Sequence, residues 1–284
     1  MPKKETRFVA KNMWGEQPYQ KRARKVLPIL VRQALAQKTI YYQHLADELR
    51  MKRARNCDYV LGSVGVTLNE LGKKWGEDVP EIQSLAVNQH THQPGSGFFG
   101  GTKQYQSLTK KQREAKMQSL YAEIYSYPKW PQVLNELNLK PPKSKTSDIL
   151  KEAREFLVGG ESPQHKRMKM AVSQQPKLVG IPSTAKCLGT EYPLPSGDKL
   201  DVCFARGSHV YAVEVKTALS PVGDLARGLF QCVKYQSVLE AWHASEGKET
   251  SISVLLALEG HLPDALLPLR NALQIKVVEH VTFQ

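Results

Sequence analysis

Three ionisable residues interrupt apolar stretches in the last third of the 284-residue chain. Asp201 lies in the stretch Lys199-Leu-Asp-Val-Cys-Phe204, while Glu214 and Lys216 lie in Val210-Tyr-Ala-Val-Glu-Val-Lys216. Each stretch otherwise predicts a short buried strand. Burying a carboxylate is costly unless a hydrogen-bond partner or a cation compensates for the lost hydration. The two acids and the lysine therefore indicate a site, and a bound metal ion accounts for them most simply.

The residues between the two stretches predict a hairpin. Ala-Arg-Gly-Ser-His (205–209) forms the connection, and a symmetric hairpin with its midpoint between Gly207 and Ser208 places Asp201 opposite Glu214. Cβ atoms of opposed residues are about 5 Å apart. Glu214 and Lys216 point to the same face of a strand because they are two positions apart. Oxygen ligands with open positions suit Mg²⁺ or Mn²⁺.

Lys216 is expected beside this metal, where its ammonium group holds a water or neutralises charge that develops on a phosphate. The alternative is a structural salt bridge between Lys216 and one of the acids, in a domain without activity. The histidines show no spacing typical of a metal site.

The next predicted helix, about 221–245, contains Gln231-Cys-Val-Lys-Tyr235. Asp201, the strand end Glu214-Val-Lys216 and this element resemble the PD-(D/E)xK nuclease superfamily, including the Q-x-x-x-Y element of its RecB-like branches. The resemblance covers about 147–284 and is tightest over 188–240. It implies a restriction-endonuclease-like mixed sheet flanked by helices, within a mixed α/β (α+β) chain. Leu200 stands where many members have proline.

The resemblance also implies a role for each matching residue. Asp201 and Glu214 would bind the metal together with the main-chain carbonyl of Val215, and Lys216 would be the catalytic lysine. Gln231 and Tyr235 would face the active site or the DNA backbone, unless this helix face simply packs on the sheet. Glu191 is the candidate for a further metal-binding acid, and Glu152 and Glu161 are its rivals.

The remaining elements of this domain follow from apolar periodicity. Asp224 is expected to cap the helix or to pair with Arg227, which forms a polar stripe with Gln231 and Tyr235. The predicted elements are a helix at 164–177, strands at 188–194, 199–205 and 209–217, a helix at 221–245, a strand at 251–258, a helix at 263–271 and a strand at 274–282.

The first half of the chain predicts a mostly helical DNA-binding domain. Residues 1–24 form a basic flexible arm, 25–139 the domain and 140–146 a proline-containing linker before the nuclease domain, 147–284. Helices are expected at 26–38, 42–49, 59–74 and across 107–137, with Trp130 and Leu134 packing on the domain, a strand at 80–88 and a glycine-rich wing at 93–101.

This region resembles the winged-helix domain of alkyltransferase-like proteins. The matching pieces are Tyr42-Gln-His-Leu-Ala, Val64-Gly65, Pro80, Val87-Asn88 and Pro94-Gly-Ser-Gly-Phe98. The resemblance implies duplex binding but not alkyl transfer, because 80–101 contains no cysteine. An ordinary helical bundle with a loop is the alternative. The residues predicted to contact DNA are Arg24, Lys25, Lys52, Arg53, Arg55 and Arg227.

The composition favours a polyanionic partner. The formal net charge is +13, which indicates nucleic acid first. The four cysteines form no C-x-x-C pair, as is typical of free, mostly buried thiols in a reducing compartment. No apolar run reaches membrane-spanning length, so we expect a cytoplasmic protein without a membrane partner.

Together these patterns predict a Mg²⁺- or Mn²⁺-dependent DNA endonuclease of restriction or phage defence. DNA, most simply duplex DNA, is the expected partner, and a homodimer or a regulatory partner protein is possible. A non-catalytic DNA-binding regulator or scaffold with an inactive nuclease fold is the alternative, and a third hypothesis is RNA as the substrate.

Overall fold

The computed structural model describes residues 10–51, 57–95, 98, 107–142 and 162–283. The chain divides into two compact units, Met1–Lys143 and Ser144–Gln284. The division falls inside the segment 140–146 that the sequence predicts as a linker. The fold is mixed α and β, and its larger sheet lies in the second unit.

The first unit is mainly helical. Its helices are α1 (Pro18–Leu35), α2 (Tyr42–Glu48), α3 (Cys57–Trp75), α4 (Lys110–Ser126) and α5 (Trp130–Glu136), with a 3-10 turn at Ile82–Leu85. Two short strands, β1 (Ile40–Tyr41) and β2 (Ala86–Val87), pair in parallel. Helices α2 and α3 occur where the apolar periodicity predicts them, and the predicted helical span 107–137 contains α4 and α5.

One hydrophobic core joins these helices. Val26 and Leu30 of α1 and Val60 and Val64 of α3 are fully buried in it, as expected from residues four positions apart on one helix face. Trp130 is also fully buried, and its indole nitrogen donates to the carbonyl of Ile124 at 2.8 Å. The predicted packing of Trp130 and Leu134 onto this unit is confirmed.

Two predictions in this unit differ from the structure. Helix α1 begins at Pro18, and the side chain of Met13 is fully buried, so 10–24 is not a free arm. The strand predicted at 80–88 is reduced to Ala86–Val87, because Ile82–Leu85 turns as a 3-10 helix. Ile82 and Leu85 both reach the core from that turn, since residues three apart share a face of such a helix. Of the predicted wing, 96, 97 and 99–101 lie outside the described residues.

The second unit is built on a five-stranded mixed sheet. Its strands are β3 (Lys186–Pro193), β4 (Lys199–Arg206), β5 (His209–Lys216), β6 (Ser251–Leu258) and β7 (Lys276–Val278), in the order β3-β4-β5-β6-β7. The pairs β3–β4 and β4–β5 are antiparallel, whereas β5–β6 and β6–β7 are parallel. The helices are α6 (Pro163–Gln174), α7 (Val222–Ser245) and α8 (Leu267–Leu273), with 3-10 turns at Pro176–Val179 and Asp264–Leu266.

Helices flank the sheet on both faces. Successive residues of β5 point to opposite faces of the sheet and belong to different cores. Val213 packs with Met168 of α6, and Ala212 packs with Leu229 of α7. The described order of one helix, three strands, helix, strand, helix and strand is the one predicted. The last strand is shorter than predicted, because Gln274 and His280 on either side of it have φ angles of 60° and 55°. Such left-handed backbone does not continue a strand.

Two further observations concern the whole chain. Cys57, Cys203 and Cys232 are buried, and all four cysteines are free thiols, as predicted. In the described ranges, no helix is both long enough and apolar enough to cross a membrane.

Candidate active site

The β4–β5 hairpin has the predicted register. Val202 pairs with Val213 and Arg206 with His209, so the turn consists of Gly207 and Ser208. A two-residue turn of this kind requires positive φ, and Gly207 has a φ of 58°. One position beyond the Val202–Val213 pair, Asp201 stands opposite Glu214, as predicted.

The two strands stop pairing through their main chains at this point. The amide of Val215 donates to Oδ2 of Asp201 at 2.8 Å. A side-chain carboxylate therefore takes the hydrogen bond that a carbonyl of β4 would accept in a continued ladder. Asp201 is 9% exposed and Glu214 is 4% exposed. The acids thus lie at the end of the hairpin ladder with little access to bulk water.

Burial changes the protonation of Glu214. Loss of hydration, followed by the negative charge of Asp201, raises the pKa of Glu214 to about 8. The ammonium group of Lys216, whose Nζ lies 3.2 Å from Oε1 of Glu214, acts in the opposite direction but is outweighed. A cation between the acids would favour the ionised form of Glu214.

Lys216 binds a second acid that sequence reasoning assigned elsewhere. Its Nζ donates to Oδ1 of Asp224, in the first turn of α7, at 3.1 Å. Burial lowers the pKa of Lys216, but Glu214 and Asp224 together outweigh it and raise this pKa above its usual value. Lys216 is therefore a buried ammonium group held between two carboxyl groups.

A glycine of α7 makes room for the lysine side chain. A Cβ atom at Gly228 would lie 3.1 Å from Cε of Lys216 and 3.0 Å from Cδ1 of Leu256. Gly228 therefore allows α7 to approach the sheet closely where Lys216 passes beneath it.

The predicted Gln231–Tyr235 element lies on α7, the helix that also carries Asp224 and Gly228. Nε2 of Gln231 lies 3.2 Å from the hydroxyl of Tyr235, which donates to the carbonyl of Lys199 at 3.4 Å. Burial is the larger cause that raises the pKa of Tyr235, and the negative charge of Glu214 adds to it. Oε1 of Gln231 is buried and accepts no hydrogen bond from the part of the chain that the structure describes. Tyr235 packs in the core, as the alternative interpretation of this helix face predicts, and the role of Gln231 stays a prediction.

His165 joins the site although its spacing in the sequence predicts nothing. Its Nε2 lies 3.5 Å from Oδ2 of Asp201 and 3.1 Å from the carbonyl oxygen of Val215. The residue lies in the first turn of α6, where its amide donates to the capping hydroxyl of Ser162. The sequence predicted no metal site from the histidines, and it did not reveal His165 as a neighbour of Asp201. The only signal in the sequence was its place near the start of a predicted helix.

Glu259 is a second residue that the sequence analysis missed. It follows β6 directly, and its carboxylate accepts hydrogen bonds from Gln164, the neighbour of His165, and from the amide of Ala218. It therefore lies at the same end of the sheet as Lys216.

The carboxylate of Glu191, the candidate for a further metal-binding acid, pairs with two lysine side chains. By register it stands opposite Asp201, but its φ of 53° departs from strand geometry. Its carboxylate forms an ion pair with the buried ammonium group of Lys169 and lies 3.9 Å from that of Lys199. These cations already compensate the charge of Glu191. The rivals at 152 and 161 lie outside the described residues.

The residues predicted to contact DNA have different environments. The guanidinium group of Arg24 donates to the carbonyls of Met13 and Gly15 within its own unit, whereas Lys25 is exposed. Arg227 is exposed on α7. Lys52, Arg53 and Arg55 lie outside the described residues.

The donors fit a hard divalent cation in part. Asp201, Glu214 and the carbonyl of Val215 offer only oxygen atoms, the type that Mg²⁺ and Mn²⁺ prefer. In the described ranges, no three His, Cys, Asp or Glu side chains lie close enough together to hold a metal ion. The set is therefore two carboxylates and a main-chain oxygen, with the imidazole of His165 adjacent, and water or substrate would have to complete it.

Comparison with known proteins identifies no relative. No family model matches the chain, and neither a curated protein nor a solved structure is significantly similar to it. What the site does must therefore be argued from its own residues.

Proposed function

We propose that the second unit is a metal-dependent nuclease that hydrolyses phosphodiester bonds of DNA. The observation that carries the proposal is the pair of buried acids, Asp201 and Glu214, on adjacent strands with the ammonium group of Lys216 beside them. Buried ionisable groups of this density are costly for stability and are concentrated at functional sites. The helix–sheet order and the Gln231–Tyr235 contact agree with the restriction-endonuclease-like fold that the PD-(D/E)xK resemblance implies.

Each residue of the site has its own role in the proposed reaction. Asp201, Glu214 and the carbonyl of Val215 would hold a divalent ion. Such an ion supplies Lewis-acid stabilisation of phosphate oxygens and lowers the pKa of the attacking water. Lys216 neutralises charge that develops on the phosphate or holds the water, and burial strengthens that interaction. The resemblance implies that the products carry a 5′-phosphate and a 3′-hydroxyl.

DNA is the substrate that the charge and the sequence patterns favour. The net charge of +13 supports a polyanion, and the helical first unit supports a duplex-binding role. Restriction or phage defence is the biological setting that we propose for such an enzyme. One active site cleaves one strand, so a double-strand cut would require a dimer or two binding events.

A non-catalytic DNA-binding scaffold is the second candidate. It is favoured by the two contacts that hold Lys216 between Glu214 and Asp224, because a purely structural ion pair would have the same geometry. This candidate predicts salt-dependent DNA binding without metal-dependent cleavage.

Cleavage of supercoiled plasmid tests the proposal. The full chain is incubated with Mg²⁺, Mn²⁺ or EDTA beside Asp201→Ala and Lys216→Ala, with Asp198→Ala as the control because Asp198 pairs with Lys234 at the exposed turn before β4. We expect metal-dependent nicking that both site variants lose and the control retains. Retained gel-shift binding with no cleavage in any metal would favour the scaffold instead.

A further inference from the structure

One carboxylate links the two elements that carry His165 and Lys216. Nε2 of Gln164 lies 2.8 Å from Oε1 and 2.7 Å from Oε2 of Glu259, and the amide of Ala218 donates to Oε2 at 2.8 Å. The amide of Glu259 itself donates to the carbonyl of Lys216 at 3.0 Å. Glu259 therefore contacts helix α6 next to His165. It also contacts the main chain at Lys216 and at Ala218.

Polar contacts attach the start of α6 to the sheet. The fully buried apolar residues of α6 are Met168 and Val172, which lie one and two turns beyond the position of His165. The capping bond from His165 to Ser162 is local and does not attach the helix to the sheet. The hydrogen bonds between Gln164 and Glu259 join residues 95 positions apart, and they fix the first turn of the helix against the sheet edge.

The carboxylate of Glu259 has a donor from each of the two elements. Both of its oxygen atoms lie within hydrogen-bonding distance of Nε2 of Gln164, and Oε2 also accepts the amide of Ala218. A carboxylate at this edge without such donors would repel a phosphate backbone. The side-chain amide of Gln164, which is shared between the two oxygen atoms, and the main-chain amide of Ala218 compensate its charge and make its position dependent on both neighbouring elements.

We propose that Glu259 is a positioning residue of this site, which sets the placement of His165 through Gln164 and of Lys216 through Ala218. The inference rests on the proposed nuclease function for its effect on cleavage. Misplacement of a reacting group by about 1 Å is enough to lower a rate by about 100-fold. Loss of the carboxylate should therefore impair the chemical step more than substrate binding.

The cleavage test compares four variants of the full chain in Mn²⁺. Glu259→Ala and Gln164→Ala should each lower kcat by about 10- to 100-fold with KM for plasmid changed less than about threefold. The double variant should be no slower than the slower single variant, because both changes remove one shared contact. Glu279→Ala is the matched control, since its carboxylate also accepts a main-chain amide, that of Leu262, and it should stay within about twofold of wild type.

A conservative variant separates position from charge. Glu259→Gln retains an oxygen that can accept the amide of Ala218, and the Gln164 amide can rotate to pair with it. We expect this variant to recover most of the activity that Glu259→Ala loses. Additive losses in the double variant, equal losses in Glu259→Gln and Glu259→Ala, or an equal loss in Glu279→Ala would each overturn the positioning role.

A measurement without cleavage distinguishes this inference from the proposed function. Long-range ¹H–¹⁵N spectra report the imidazole signals of His165, assigned by comparison with His165→Gln, in metal-free protein. Glu259→Ala and Gln164→Ala should shift or broaden those signals, and Glu279→Ala should leave them unchanged. If wild type cleaves nothing, the proposed nuclease function fails, while the response of the His165 signals still decides the positioning role. Unchanged signals in Glu259→Ala would overturn it.

Discussion

Replacing the carboxyl group of Glu214 by an amide should stabilise the metal-free protein at alkaline pH while it removes any activity. Glu214 is 4% exposed, and burial together with the charge of Asp201 raises its pKa from 4.5 to about 8. The folded state therefore holds a proton that the unfolded state releases. An acid shifted in this direction makes stability fall as the pH rises from 4.5 to 8.

The size of the effect follows from the shift. At about 1.36 kcal/mol for each pKa unit, ionised Glu214 lowers the free energy of unfolding by at most about 5 kcal/mol above pH 8. The glutamine variant has a similar volume and no charge, so it avoids this cost. It also loses the contact with Lys216, whose ammonium group keeps Asp224 as a partner. We therefore expect a net gain of about 2 kcal/mol or more at pH 8.5, and no gain at pH 4.5.

Thermal unfolding in EDTA between pH 4.5 and 9 measures the effect. A gain of about 2 kcal/mol corresponds to several degrees in Tm for a unit of this size. Glu249→Gln is the matched control, because Glu249 is exposed and the same change there should leave the pH profile of Tm unaltered. A Glu214→Gln variant that is less stable than wild type at pH 8.5 would refute the reasoning. It would mean that the ion pair with Lys216 outweighs the cost of burying the carboxylate.

Four further substitutions test other parts of the structure. Gly228→Ala should lower cleavage at least about 10-fold, because its Cβ would lie 3.1 Å from Cε of Lys216 and displace that side chain. Plasmid nicking measures the loss, and wild-type kinetics would contradict the close approach. Trp130→Ala should destabilise the protein by about 3–5 kcal/mol in urea unfolding, because its indole is fully buried, and a loss below about 1 kcal/mol would show that the core tolerates the cavity. Arg24→Ala should lower the free energy of unfolding by about 1–2 kcal/mol, because the guanidinium group loses its contacts with two carbonyls. Lys25→Ala should leave Tm unchanged and reduce the salt dependence of DNA binding. Equal Tm values for the two variants would contradict this contrast.

The local pattern of the sequence was sufficient for the hairpin and its three ionisable residues. Apolar stretches of strand length predict β4 and β5, and the short connection between them allows only one symmetric register. Because side chains alternate along a strand, that register places Asp201 opposite Glu214 and puts Lys216 on the same face as Glu214. All of this depends on residues within sixteen positions of one another, where chain geometry leaves few alternatives.

Contacts between distant elements could not be predicted in the same way. His165 meets Asp201, and Glu259 meets Gln164, only because α6 packs across the sheet, and no spacing in the sequence encodes that approach. Asp224 binds Lys216 because α7 starts close to the strand end.

The local pattern of the sequence also did not determine the backbone conformation of short segments. The run 80–88 has enough apolar residues for a strand, but the requirement to bury both Ile82 and Leu85 against the helices favours a 3-10 turn. The sequence left open whether Glu191 faces Asp201; its register places it opposite, yet its left-handed φ and its ion pair with Lys169 give its carboxylate a different partner. The sequence by itself thus determined which ionisable residues lie on the two central strands. Tertiary packing decided which other side chains reach them, because only the folded sheet brings distant helices within hydrogen-bonding distance.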